Sequence, residues 1–422
     1  MASGRRGPGT GVDAQTPGVR GGDRLRERSG DGSRENSGIA RSLPRSTVAA
    51  FAAFAITLIV SHFRSTPYNN FVLLAGAFLH GHTWIAWPGP YIDALAYNGQ
   101  HYVIEGPLPA VLLIPWVAIA GTAANQTVLA AILAGIAIGA AWALGKRIGV
   151  STSTNIWLCG FLFAGTDLLW CAMLGDVWFI AHVSAVCFTM LALAELFGKR
   201  RAWLIALWAV CAAESRFTLV LAIPVYAVLL ARDRDRSVSS WAGFGGVLAF
   251  AAGLWVLYNN ARWGTLADIG YTTWYHQDQA GMPAGSPFRL QYLGYELWSF
   301  FAQLPDFAGT YPWIRPSYSG VALTFTSPAL VYALWARRPV TMVAALWAST
   351  LLTAVPNFLY YVNGFAQYGM RHALDFIPFL YVLMLLAARE RLPLWTKALI
   401  AYSCAASLYG VWYWNIFVRP GN

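Results

Sequence analysis

Hydrophobic residues in this chain come in long unbroken runs, not in the two-residue or 3.6-residue periods of half-buried soluble elements. Runs of this kind occupy 47–63, 126–144, 153–170, 177–196, 202–214, 217–231, 241–260, 319–336, 340–359, 372–388 and 395–415. A helix that crosses a bilayer needs about 20 apolar residues, with a range near 17 to 25. The pattern predicts an all-α, polytopic membrane protein of about eleven transmembrane helices. The runs at 202–214 and 217–231 are short, and Pro224 is expected to bend the second. They reach only part of the way across and leave a recess on one face.

A further apolar run, 107–121, contains Pro107, Pro109 and Pro115. Charge parity argues against its crossing. If it lies along the outer interface instead, Lys146–Arg147, Lys199–Arg201, Arg232–Arg236, Arg337–Arg338 and Arg389–Lys397 all face the cytoplasm. The other side then holds only Arg64, Arg216, Arg262, Arg289, Arg315, Arg371 and Arg419. That distribution satisfies the positive-inside tendency. It predicts a multi-pass plasma (inner) membrane protein with the N-terminus cytoplasmic and the C-terminus outside. Two long extracytoplasmic loops result, 64–125 and 261–318, large enough to roof a cavity and expected to contain interfacial helices.

Composition supports this picture. Of 422 residues, 57% are hydrophobic and 11% charged, against about a quarter charged in soluble domains. The net charge of +10 is explained by topology, so no nucleic-acid partner is expected; the bilayer is the partner. Residues 1–46 are rich in Gly, Arg, Ser and Asp and have almost no large apolar side chain. Such a stretch cannot offset its ordering entropy, so it reads as a disordered basic cytoplasmic tail before a single membrane domain, 47–422. The five Cys lie in or beside apolar runs without a CxxC pair, and read as small buried apolar residues.

The polar chemistry gathers on one side. All seven His and ten of the 19 acidic residues fall outside or at the outer boundary, and none of the acidic residues lies at mid-depth of a run. A pump or transporter keeps ionisable groups along its pathway and commonly shows inverted repeats with interrupted helices. Neither is visible here. A transporter or lipid flippase is therefore the alternative reading, and a non-catalytic scaffold a third.

Asp93 and Glu105 are the only carboxylates of the first external loop, and each is a candidate general base; the bland alternative is that Asp93 caps residues 94–97. His80, His82 and Glu105 are candidate ligands for a divalent metal ion, although His-x-His side chains on a helix point about 200° apart. Arg371 and Asp375 are spaced i, i+4, which on an α-helix gives a shared face and a salt bridge; alternatively Arg371 clamps a phosphate. Arg216 either binds an anion in the same way or pairs with Glu214. His101, Tyr102, His182, His372 and Asp375 are expected to line the cavity. Asp176 is expected to complement the dipole of the helix that it precedes.

The acidic-x-Pro step Glu105-Gly106-Pro107 in the loop after the first span, the surface helix, and a late Arg-x-x-x-Asp-x-x-Pro (Arg371, Asp375, Pro378) resemble the GT-C class of polytopic glycosyltransferases. The likeness is to protein O-mannosyltransferase-like and lipid A aminoarabinose transferase-like enzymes, over roughly 50 to 390, through short motifs. It implies that a sugar moves from a polyprenyl-phosphate donor to an acceptor glycan, lipid or protein outside the membrane, with inversion. It also implies Asp93 or Glu105 as the base, Arg371 and Arg216 on the donor phosphate, and a metal role for Glu105 in some relatives. One departure stands out: where such enzymes commonly carry an acidic residue just after the first span, this chain has Tyr68, Asn69 and Asn70.

Overall fold

The computed structural model describes residues 43–90, 92–233, 237–278, 285–389 and 391–419. The expected tail falls outside them except at its end, where Arg45 and Ser46 already belong to the first helix, α1 (Arg45–Val60). The first loop then folds into α2 (Asn70–Leu79), an antiparallel hairpin of β1 (Leu95–Tyr97) and β2 (Gln100–Tyr102), and α3 (Leu108–Ala120). Asn98 and Gly99, both with positive φ, form the two-residue turn that such hairpins favour. α3 has 13 residues, about 20 Å of helix at 1.5 Å per residue. It packs against α2.

Next come α4 (Gln126–Ile148), α5 (Thr152–Ala164), α6 (Leu168–Leu174), α7 (Val177–Leu196) and α8 (Ala202–Ala213). The capping residues are legible locally: the Asn125 side chain accepts the Thr127 N–H and the Ser151 hydroxyl the Thr154 N–H. Gly135 and Gly139, four residues apart on α4, admit α1 closely. A Cβ on Gly135 would lie 2.8 Å from the Ala50 carbonyl oxygen, so this is a small-residue helix crossing. A break at Gly165–Asp167 bends α5 and α6 by 48°.

A 3-10 segment, Phe217–Ala222, leads into α9 (Ile223–Ala231), then α10 (Val238–Trp263). Pro224 stands where the 3-10 segment gives way to α9. It occupies the first turn of α9, where its missing N–H has no intrahelical partner to lose. The second loop contains α11 (Gly270–Asp278), α12 (Leu293–Ala302) and the strand pair β3 (Asp306–Phe307) and β4 (Ile314–Arg315). The chain continues through α13 (Leu323–Thr326), the 3-10 segment Pro328–Trp335, α14 (Val340–Leu359), the 3-10 turn Arg371–Asp375, α15 (Ile377–Ala387) and α16 (Leu394–Tyr413).

Each apolar run thus coincides with helical structure. By length and composition α4, α7, α10 and α14 can cross a membrane, and the bent pair α5–α6 makes a fifth. Length and composition do not reach eleven: α1, α8 and α15 have only 16, 12 and 11 residues, and 3-10 segments beginning at Phe217 and Pro328 break two further runs. The core is built on α7 and α15, which are buried on nearly every side, while α10 turns long apolar faces outward.

Candidate active site

The buried centre of the site is Asp375, which has no exposed surface. Its Oδ1 accepts from Arg216 Nε at 3.2 Å and His182 Nδ1 at 3.0 Å. Its Oδ2 accepts from Arg216 Nη2 at 3.1 Å, Asn357 Nδ2 at 3.1 Å and the Thr218 hydroxyl at 2.7 Å. Because a carboxylate only accepts, His182 must carry its proton on Nδ1 in this contact. One side chain thereby ties together α7, the 217–222 segment and α14.

Two sequence expectations fail at this centre. Arg371 and Asp375 do not share a face, because residues 371–375 form a 3-10 turn. With 3.0 residues per turn, positions four apart diverge by about 120°. Arg216 pairs with Asp375 rather than with Glu214. His182 and His372 are buried beside Asp375 with ring centroids 5.3 Å apart.

Arg371 is in the opposite condition. It is 7% exposed, yet among the described residues no carboxylate lies within ion-pair distance of it. Nη1 donates to the Phe365 carbonyl at 3.1 Å and to Gln367 Oε1 at 3.2 Å. The guanidinium carbon lies 5.3 Å from the centre of the Phe179 ring, and Nε has no partner. The planar donors of such a guanidinium are suited to an anion.

Glu105 reaches this region from the first loop. Gly106 presses on the Glu214–Ser215 backbone so closely that any Cβ would collide with the Glu214 carbonyl, whose oxygen accepts the Leu108 N–H at 3.3 Å. The two sequence motifs, Glu105-Gly106-Pro107 and Glu214-Ser215-Arg216, are thus one structural unit. Glu105 is buried, and burial pushes its carboxyl up to about 7; Asp93 also raises it, while Arg216 and Arg371 lower it. Charges of both signs therefore converge on this carboxyl.

Asp93 is exposed. It caps no helix, because residues 95–97 form β1. Its carbonyl accepts from the side-chain amide of buried Asn70 at 2.6 Å. Asp93 therefore stands next to the position where the resemblance calls for an acidic residue.

Other expected site residues go elsewhere. His80 and His82 lie beyond the end of α2, on either side of a turn at Gly81. Their rings stack, with centroids 6.1 Å apart, instead of pointing 200° apart. His80 Nδ1 is engaged by the Gly76 carbonyl and His82 stacks on Trp84. Among the described residues, no three His, Cys, Asp or Glu side chains converge as metal ligands, so His80, His82 and Glu105 do not form the expected set. His101 stacks on Trp87, and Tyr102 packs with Leu95 and Trp263 in a separate cluster. Asp176 makes no side-chain cap; it pairs with Arg419, Nη1 to Oδ1 at 3.0 Å, and accepts from Thr66.

The second loop is joined to the first by Arg262, whose Nη1 donates to the Val103 carbonyl at 3.4 Å and whose guanidinium lies 4.0 Å from the Tyr258 ring centre. The molecule matches the crystal structure of ArnT from Cupriavidus metallidurans bound to undecaprenyl phosphate, at a TM-score of 0.53 and 14% sequence identity. The match covers 89% of this chain. The fold is GT-C-like. The chain spans 65% of the length of that protein. No protein-family model matches the sequence, and no curated protein matches it.

Within this GT-C-like fold, sequence reasoning overlooked several residues of the site. Thr218, Asn357 and Gln367 are uncharged and sit in or beside apolar runs, with no local signal of their role. Asp167, buried at the α5–α6 break with Oδ1 unpartnered, carried one: an acidic residue within an apolar run calls for a reason. The Asn98-Gly99 dipeptide likewise marked the hairpin.

Proposed function

We propose that the chain is a membrane glycosyltransferase that takes a sugar from a polyprenyl-phosphate donor and attaches it to an acceptor hydroxyl on the extracytoplasmic side. The observation that carries this reading is Arg371: a buried cation held only by neutral groups, in the same fold as a protein crystallised with undecaprenyl phosphate. On this reading the apolar runs make about eleven crossings, with the two long loops and the C-terminus outside.

Of the two candidate bases, Glu105 has the features required. It is buried, its carboxyl titrates at about 7, and a base is most effective when its pKa is near the working pH. Glu105 takes the proton of the acceptor hydroxyl. The freed oxygen attacks the anomeric carbon from the side opposite the phosphate. The new C–O bond forms as the bond to the phosphate oxygen breaks, which inverts the carbon. The electron pair leaves on the polyprenyl phosphate, and Arg371 stabilises the charge that develops there. Arg216 acts indirectly, by fixing Asp375 and the turn that carries Arg371. Asp93, on the exposed side, adds negative charge near Glu105 and has the position of an acceptor-recognition group.

The test is transfer in proteoliposomes supplied with radiolabelled polyprenyl-phosphate sugars. Label should leave the lipid fraction with the unaltered protein and stay there with Glu105→Gln. Transfer at full rate by Glu105→Gln together with its loss in Asp93→Asn would move the base to Asp93. Absence of both undecaprenyl phosphate binding and label transfer would sink the enzyme reading.

A further inference from the structure

We propose that Gln367 is a positioning residue for Arg371, and that the second long loop holds its amide in one orientation. The proposal rests on the reading of Arg371 as the phosphate receptor. Gln367 is completely buried. Its Nε2 donates to the Ser319 carbonyl at 2.7 Å and to the Asn363 carbonyl at 2.9 Å. Carbonyl oxygens only accept, so these two contacts decide which end of the amide is nitrogen. The oxygen is thereby turned to Arg371 and accepts from Nη1 at 3.2 Å. Gly364 makes room for this arrangement; a Cβ there would overlap Gln367 Oε1.

The support continues outward from the site. Asn363 Nδ2 donates to the Ser319 carbonyl at 3.0 Å and also to the Ser299 hydroxyl. Ser299 donates to Gln303 Oε1 at 2.8 Å, and Gln303 Nε2 donates to the hydroxyls of Ser317 at 2.8 Å and Ser319 at 2.6 Å. Ser299 lies on α12 and Gln303 caps its end. A continuous hydrogen-bonded chain therefore runs from α12 to the guanidinium. In such a buried chain, each member restricts the next.

The choice of an amide has a chemical consequence. A carboxylate in place of Gln367 would neutralise Arg371 and compete with a phosphate. An apolar side chain would leave the guanidinium free to turn away. A neutral acceptor orients the guanidinium and leaves its charge for the ligand.

The experiment uses the full chain in nanodiscs and measures binding of undecaprenyl phosphate and of uncharged undecaprenol. Gln367→Met, similar in volume, should weaken phosphate binding about tenfold, the scale of one charge-assisted hydrogen bond, and leave undecaprenol unchanged. Gln367→Glu should weaken it further, with recovery as the pH falls and the new carboxyl is protonated. Equal weakening for both lipids in Gln367→Met would reduce Gln367 to a packing role and overturn the proposal. Wild-type phosphate binding in Gln367→Met, alongside loss in Arg371→Met, would overturn it and leave the Arg371 reading standing. Undiminished phosphate binding in Arg371→Met would instead remove the foundation of both. If Gln367→Glu does not fold, Gln367→Met decides alone.

Discussion

Arg216 and Asp375, 159 positions apart in the chain, meet through two nearly parallel hydrogen bonds, Nε to Oδ1 at 3.2 Å and Nη2 to Oδ2 at 3.1 Å. Three further donors complete the carboxylate. Taking two charges out of water is expensive, and removing one partner leaves the other stranded. Asp375→Ala should therefore destabilise the protein by about 3–5 kcal/mol, seen as a large drop in the thermal unfolding temperature in detergent. Arg216→Met combined with Asp375→Leu should recover part of the loss. A double variant no more stable than Asp375→Ala would show that the stranded charge is not the cause.

Arg371 predicts the reverse pattern. A buried guanidinium without an ionic partner is costly, because its desolvation is not repaid by a counter-charge. Arg371→Met should leave the unfolding temperature of the ligand-free protein unchanged or higher, while affinity for undecaprenyl phosphate falls. Thermal scans with and without the lipid phosphate check both halves. A marked destabilisation without ligand would mean that Arg371 is a structural cation.

Glu105 gives the pH dependence. Its carboxyl titrates at about 7 in the folded protein, above its ordinary value of 4.5. The folded state thus favours the protonated form. This contribution to stability is fully present below about 4.5 and is lost as the pH rises through about 7. In the proposed mechanism Glu105 acts as the carboxylate, so transfer should rise across the same interval and level off above it. Glu105→Gln should abolish transfer and flatten that part of the stability curve. Asp93→Asn removes a negative neighbour and should lower the midpoint of the rate profile. An unchanged midpoint would disconnect Asp93 from Glu105.

Gly106 offers a purely steric test. Any Cβ at this position collides with the Glu214 carbonyl, which is backbone and cannot rotate away. Gly106→Ala should cost about 1–3 kcal/mol, the range for overpacking, and should lower transfer by displacing Glu105 and Arg216 together. Normal stability and activity in this variant would show that the two motifs need not be in contact.

Several parts of the site are legible in the amino-acid order. An acidic-x-Pro step and an Arg in front of an apolar run are local signals, and they single out Glu105 and Arg371. The metal assignment failed because, among the described residues, no third His, Cys, Asp or Glu side chain converges with His80 and His82, a matter of tertiary placement. Thr218, Asn357 and Gln367 stayed invisible because an uncharged polar residue near an apolar run has no pattern of its own. Their roles follow from which carboxylate or guanidinium lies opposite them.

Residue order alone is enough to establish a helical membrane protein, the apolar runs that its helices occupy, and the avoidance of the middle of those runs by its ionisable groups. Those are properties of local composition, because transfer into lipid is summed over contiguous residues. Which cation neutralises Asp375 is a matter for the folded chain. The spacing of four residues nominated Arg371, but a 3-10 turn separates the two side chains and Arg216 arrives from a distant segment. Away from water, a charge is satisfied by whatever group the fold brings within about 3 Å, and nearness along the chain does not settle that choice.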